Sequence, residues 1–177
     1  KVNIVRIHSE SIDESTVGSR LQNLDGILVA PGFGSRGIEG KIIAIQYARE
    51  RNIPFLGICL GMQCAVIEFA RNVLKMVNAH STEMDKRTPY PVIDIMEAQK
   101  KISGMGGTMR LGSYPCQIVK ETLTHSIYGK VQITERHRHR YEFNNKYLQD
   151  FEAKGLMASG INMKDNLVEI MELQGHP

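Results

Sequence analysis

The residues best suited to covalent chemistry lie in Gly57-Ile58-Cys59-Leu60-Gly61. A nucleophile bracketed by glycines marks a sharp strand-to-helix turn that exposes its side chain. The glycines relieve crowding while the nucleophile takes a strained backbone conformation. Cys59 would then stand at a helix N-terminus, whose dipole and free N–H groups favour thiolate over thiol. The N–H of Leu60 would face an oxyanion. A second loop, Pro31-Gly32-Phe33-Gly34, offers the N–H of Gly32 as another donor. Glycine-rich turns after strands are common, so this loop gains weight only from its pairing with Cys59. Most cysteines are simply buried, and Cys64 and Cys116 read that way.

A second cluster is Arg136-His137-Arg138-His139-Arg140. On an extended strand its arginines share one face and its histidines the other. A nucleic-acid surface needs more basic area and more stacking aromatics than Tyr141 provides. A zinc site needs further ligands at tetrahedral spacing, and no cysteine or third histidine follows nearby, so no metal is expected. A solvated or ion-paired strand is the plain alternative. His8, His80 and His125 read as surface or hydrogen-bonded residues, and Arg36 and Arg110 as surface or interface residues. The nine methionines read as core filler.

The elements that must position these residues alternate. Val2 to Ile7 has strand character, and residues 9 to 24 form a polar connection with a short helix. The apolar run 26–30 ends in the Pro-Gly turn, as a buried parallel strand does. Helical spacing places Ile38, Ile42, Ile45 and Ala48 on one side of 38–50. Residues 54–58 form a second buried strand, and 60–74 a helix with Met62, Val66, Phe69 and Val73 on its apolar face. Strand, helix, strand, helix predicts a doubly wound α/β fold with a mostly parallel sheet. Residues 75–108 read mostly as loop, with a strand at 92–95. Further strands are expected at 115–119, 131–135 and 166–173, with helices near 122–128 and 146–154.

The 177 residues fit one domain able to bury its own core. A net charge of +3 carries no concentrated basic stripe and gives no reason to expect a nucleic-acid partner. No run approaches the ~20 apolar residues of a membrane span. Three cysteines without a CxxC pair point away from a disulfide framework and toward the cytoplasm.

Four segments in this order carry a resemblance. They are Phe55 to Gln63, Asn78-Ala79-His80-Ser81-Thr82-Glu83, Gly106-Gly107-Thr108-Met109-Arg110-Leu111-Gly112, and Glu135 to Glu142. The first resembles the nucleophile motif of class I, triad-type glutamine amidotransferases. All four together resemble the glutaminase domain of the CTP synthase family, over essentially the whole chain. The resemblance implies that Cys59 attacks the side-chain amide of L-glutamine and forms a γ-glutamyl thioester. Gly32 and Leu60 would supply the oxyanion donors. Gly61, Met62 and Gln63 would line the substrate end of the elbow. Glu83 and Arg140 would hold the ammonium and carboxylate of glutamine, as charge complementarity requires.

The resemblance further implies an amidoligase domain that receives the ammonia and aminates ATP-activated UTP to CTP. No cofactor is expected in the glutaminase domain itself. The whole enzyme would use ATP and Mg2+, answer to GTP as effector and assemble as a homotetramer. Arg136 and Arg138 would serve the domain interface or the effector.

Two departures stand out. The family activates its cysteine through a His-Pro-Glu segment near the domain's C-terminus. Here Leu173-Gln174-Gly175-His176-Pro177 resembles an earlier His-Pro, and His176 is not taken as the base. The chain is expected to be incomplete at both ends. The oxyanion loop also has Ala30-Pro31 where the family has Pro-Gly, which removes one N–H while Gly32 keeps its own. Two alternatives remain: another cysteine-elbow enzyme such as a peptidase, and a binding module on the same fold.

Overall fold

A computed structural model of the chain describes residues 1–95 and 109–177. The Gly106-Gly107-Thr108 part of the third motif, and residues 96–108 of the expected loop, lie outside the described residues.

Strands β1 (Ile27–Val29) and β2 (Phe55–Gly57) pair in parallel, with Val29 opposite Gly57. Parallel neighbours need a crossover, and helix α2 (Ile38–Glu50) makes it. Helix α3 (Leu60–Asn72) leaves β2 through Ile58 and Cys59. The expected face of α2 is buried at Ile38, Ile42, Ile45 and Ala48; on α3 Val66 and Phe69 are buried, while Met62 and the C-cap residue Val73 are only half-buried. Helix α3 also buries Gln63 and Glu68. Glu68 is 1% exposed and meets the Arg49 guanidinium of α2 at 2.8 Å. A carboxylate this deep requires such a partner.

Strand β4 (Pro91–Ile95) runs parallel to β3 (His80–Ser81) and antiparallel to β7 (Tyr141–Phe143). Strands β5 (Arg110–Ile118), β6 (Gln132–His139), β8 (Leu156–Asn162) and β9 (Leu167–Leu173) form a four-stranded antiparallel sheet in the order β6-β5-β8-β9. Short helices α1 (Val17–Leu21), α4 (Leu123–Tyr128) and α5 (Leu148–Glu152) pack around these sheets. The α/β class and the elbow agree with expectation, but the share of antiparallel pairing is larger. Only two of the six ladders among the described residues are parallel.

Other differences have physical causes. Residues 2–7 are not a strand: Val2 is 89% exposed, and no described strand lies alongside to pair with. Strand β5 starts five residues before the expected 115, with Pro115 inside it. Proline is tolerated there because β8 joins β5 only at Gln117 and Ile118. Strand β8 was not expected, since Ser159-Gly160 interrupts its apolar pattern. Gly160 is required by packing: a Cβ there would come 2.8 Å from Cys116 Sγ. No helix among the described residues is long and apolar enough to cross a membrane.

Candidate active site

Cys59 occupies the turn between β2 and α3 with φ 55° and ψ −107°. A non-glycine residue rarely adopts this backbone, and strain of this kind collects at functional sites. The neighbouring glycines permit it. A Cβ on Gly57 would lie 2.7 Å from the Gly61 backbone, and one on Gly61 would collide with the Val29 carbonyl. The helix therefore starts directly under β1, with Gly61 N–H bonded to the Ile58 carbonyl at 2.9 Å.

The charge state of Cys59 corrects the sequence expectation. Burial pushes its thiol above the ordinary cysteine range, and the nearby carboxylates of Glu83 and Glu142 add to this. The Leu60 N–H hydrogen bond pulls in the opposite direction but is outweighed. The helix terminus alone does not make a thiolate here. Among the described residues no imidazole is hydrogen-bonded to Cys59. His176 Nε2 instead lies 3.3 Å from the Ala48 carbonyl at the end of α2.

A small cavity of about 60 Å³ opens beside the thiol. Gly32, Cys59, Gln63, Glu83 and Arg140 all border it, brought together from positions up to 108 residues apart (140 − 32). Gly32 lies against Leu60, whose Cδ2 would be 3.1 Å from an added Cβ. Glu83 is oriented by the Gly34 N–H, which donates to its Oε1 at 3.3 Å. The Glu83 N–H in turn donates to Ser81 Oγ at 3.2 Å. Arg140 sits at the bend between β6 and β7. Gln63, 6% exposed, donates from Nε2 to the Tyr141 carbonyl at 3.1 Å and so ties α3 to the segment carrying Arg140.

Leu60 and Gly61 are buried and do not line this cavity, while Met62 borders a larger, mostly apolar space of about 970 Å³. That space runs from Cys59 and β2 to β9.

The Arg-His run divides as its alternation predicts: Arg136 and Arg138 are exposed, and His137 and His139 are turned inward. Arg110 does not fit the surface expectation. It is 5% exposed and donates to Glu142 at 3.1 Å and to Glu169 at 2.8 Å. Burial raises the Glu142 carboxyl to about 8 and lowers the His139 imidazole to about 4. Sequence reasoning missed this group because its members lie 32 and 59 residues apart along the chain. Cys64 and Cys116 are buried free thiols, as expected.

Comparison with known proteins agrees with this geometry. The model of the class I glutamine amidotransferase family matches residues 1–177. The CTP synthase of Cytophaga hutchinsonii is 61% identical over 177 residues, covering 100% of this chain and 33% of its own. That of Christiangramia forsetii is 59% identical over 176 residues, covering 99% and 32%. The chain thus spans about a third of the length of the curated relatives it matches. Among solved structures, the glutaminase domain of the Trypanosoma brucei CTP synthase with bound acivicin superposes with a TM-score of 0.91. It is 37% identical and covers 98% of this chain and 68% of its own. With the strained cysteine, the paired glycines and the gathered Glu83 and Arg140 in place, the chain belongs to the class I glutamine amidotransferases and, within them, to the glutaminase domains of CTP synthases.

Proposed function

We propose that this chain is the glutamine-hydrolysing part of a CTP synthase. The observation that carries the reading is the single cavity bordered by Cys59, Gly32, Glu83 and Arg140. It sets a nucleophile, a backbone donor, an anion and a guanidinium around one opening, at the edge of the larger space that Cys59, Gln63 and Tyr141 also border. The carboxylate of Glu83 receives the ammonium of L-glutamine and Arg140 its carboxylate. The side-chain amide then lies against Cys59.

The Cys59 sulfur, once deprotonated, attacks the amide carbon, and the resulting oxyanion is held by the N–H groups of Gly32 and Leu60. The C–N bond breaks as the nitrogen takes up a proton, releasing ammonia and leaving a γ-glutamyl thioester. Water hydrolyses the thioester to glutamate and restores the thiol. Because burial holds the Cys59 proton in place, this step needs a base. The family assigns that role to the histidine of a His-Pro-Glu segment, which residues 1–177 do not contain. Gly61 and Met62 shape the substrate end of the elbow through backbone and through the wall of the larger space, and Gln63 acts by holding Tyr141.

The ammonia is supplied to an amidoligase domain for ATP- and Mg2+-dependent amination of UTP, with GTP as effector, in a homotetramer. The coverage of about a third of each relative supports that larger setting. Three free cysteines support a cytoplasmic location.

Intact-mass analysis of the full-length protein after incubation with acivicin tests the reading. One adduct is expected, absent in Cys59→Ala and suppressed by free glutamine. Glu83→Gln and Arg140→Lys are expected to weaken that protection ~10- to 100-fold, the worth of a charge-assisted hydrogen bond. No adduct, or one that glutamine does not suppress, overturns the assignment.

A further inference from the structure

We propose that His137, His139 and Glu169 form a binding site for a divalent transition-metal ion of the zinc type. The site goes beyond the glutaminase reading and does not depend on it. Each of the three residues offers one ligand atom, an imidazole nitrogen or a carboxylate oxygen, and these atoms all lie within 4.8 Å of one another. The two nitrogens are 2.8 Å apart, and His137 Nδ1 is 3.3 Å from Glu169 Oε2. Ligands on a tetrahedral zinc ion stand about 3.3 Å apart, given bonds of about 2.0–2.1 Å. The His137–Glu169 edge already has that spacing. The imidazole pair needs to open by about half an ångström.

The ligands are aimed as well as gathered. Positions i and i+2 of β6 place both imidazoles on one strand face, opposite the exposed Arg136 and Arg138. His139 Nδ1 lies 3.2 Å from the Tyr141 carbonyl, to which it can only donate. That contact puts the proton on Nδ1 and leaves the Nε2 lone pair pointing at the site, the outer-shell arrangement usual for metal-binding histidines. Glu169 is fixed in the same manner, since Arg110 donates from Nη2 to its Oε1 at 2.8 Å and from Nη1 to its Oε2 at 3.4 Å, with Oε2 also 3.3 Å from His137 Nδ1.

The guanidinium of Arg110 adds positive charge nearby. That guanidinium is shared between Glu169 and the carboxyl of Glu142, which lies 3.1 Å from Arg110 and 3.4 Å from His139. The three side chains are only 11%, 17% and 4% exposed, yet all border the large cavity, which leaves room for a water as fourth ligand. Two imidazoles and one carboxylate suit Zn2+, Co2+ or Ni2+ rather than the all-oxygen preference of Ca2+ or Mg2+. A bound ion would bridge β6 and β9, which do not pair with each other in the sheet. The local sequence shows only two of the ligands, because the third lies 30 residues beyond His139 (169 − 139).

The test uses full-length protein stripped with chelator and titrated with Co2+ or Zn2+. The expected result is saturation at one equivalent, with visible Co2+ absorption but no intense sulfur-to-metal band, and retention in Cys59→Ala. His137→Ala and Glu169→Gln should each abolish the stoichiometric binding. As a check independent of how the variants fold, X-ray absorption of the zinc-loaded unaltered protein should show two imidazoles and an all-nitrogen/oxygen shell. No saturable binding, sulfur in the shell, or binding that survives His137→Ala overturns the proposal.

Discussion

Cys59 combines two features that pull on its proton in opposite directions. Its place at the start of α3 gives it the Leu60 N–H, while the packing that enforces φ 55° also removes it from water. The second effect dominates, so the thiol stays protonated through neutral pH. A raised folded value means that the folded state holds this proton more tightly than the unfolded one. The corresponding stability is full below the unfolded value and is lost as pH rises through the folded one. Alkylation by iodoacetamide, followed by mass spectrometry, should therefore still be accelerating near the ~8.5 of an ordinary cysteine. A plateau below neutral pH would show that the helix end prevails after all. Cys64 and Cys116 should stay unmodified, held near 12 and 11 by burial. At this scale the sequence was informative where spacing itself encodes geometry. The glycine bracket announced Cys59, the Pro31 to Gly34 loop offered Gly32, and the motifs named Gln63, Glu83 and Arg140. It misplaced Arg110 at the surface and was silent on Glu169, because a charge in a strand looks solvated until its partner is seen across the sheet.

The elements that bring these residues together depend on close backbone approach. Helix α3 begins so near β1 that Gly61 has no room for a methyl group against the Val29 carbonyl. Gly61→Ala must push the helix from the strand or twist the elbow that holds Cys59. A destabilisation of about 1–3 kcal/mol is expected, the usual cost of overpacking. Denaturant unfolding would register it as a lower midpoint at unchanged slope. An unaltered midpoint would mean that the elbow has slack, and with it that Cys59 is not held under strain. The first half of the fold was legible because its parallel strands are short apolar runs and its crossover helix has a clean period, but the expected burial of both strands does not hold: Leu28 and Leu56 are 58% and 56% exposed. Strands β7 and β8 were not. Tyr141–Phe143 is too short to show a period, and Gly160 looks like a breaker although packing against Cys116 demands it.

At the scale of the molecule the question is whether the elbow half and the antiparallel half are one cooperative unit. Their shared core says that they are. A single cluster runs from Val29 and Ile42 through Phe69 and Val92 to Phe151, Leu156 and Val168. Phe151 of α5 sits at its crossing point, fully buried. Its ring stacks on Phe69 of α3 at 5.7 Å and meets Phe143 of β7 edge-on at 5.2 Å. The strand that carries Phe143 starts one residue after Arg140, so the same contact sets the bend that presents Arg140 to the cavity. Phe151→Ala removes ring contacts to both halves at once and leaves a void that neither side can close alone. The expected loss is about 3–5 kcal/mol. In a chain of this size that lowers the melting temperature by roughly 10 °C. The transition should remain single by calorimetry and by tyrosine fluorescence alike, because the satellite clusters around Ile12, Leu21 and Ala44 in one half and Cys116, Ile118 and Ile133 in the other are small beside the core the halves share. Two resolved transitions, or a shift under about 2 °C, would show instead that the elbow half folds independently of the strands that bring Arg140 to it.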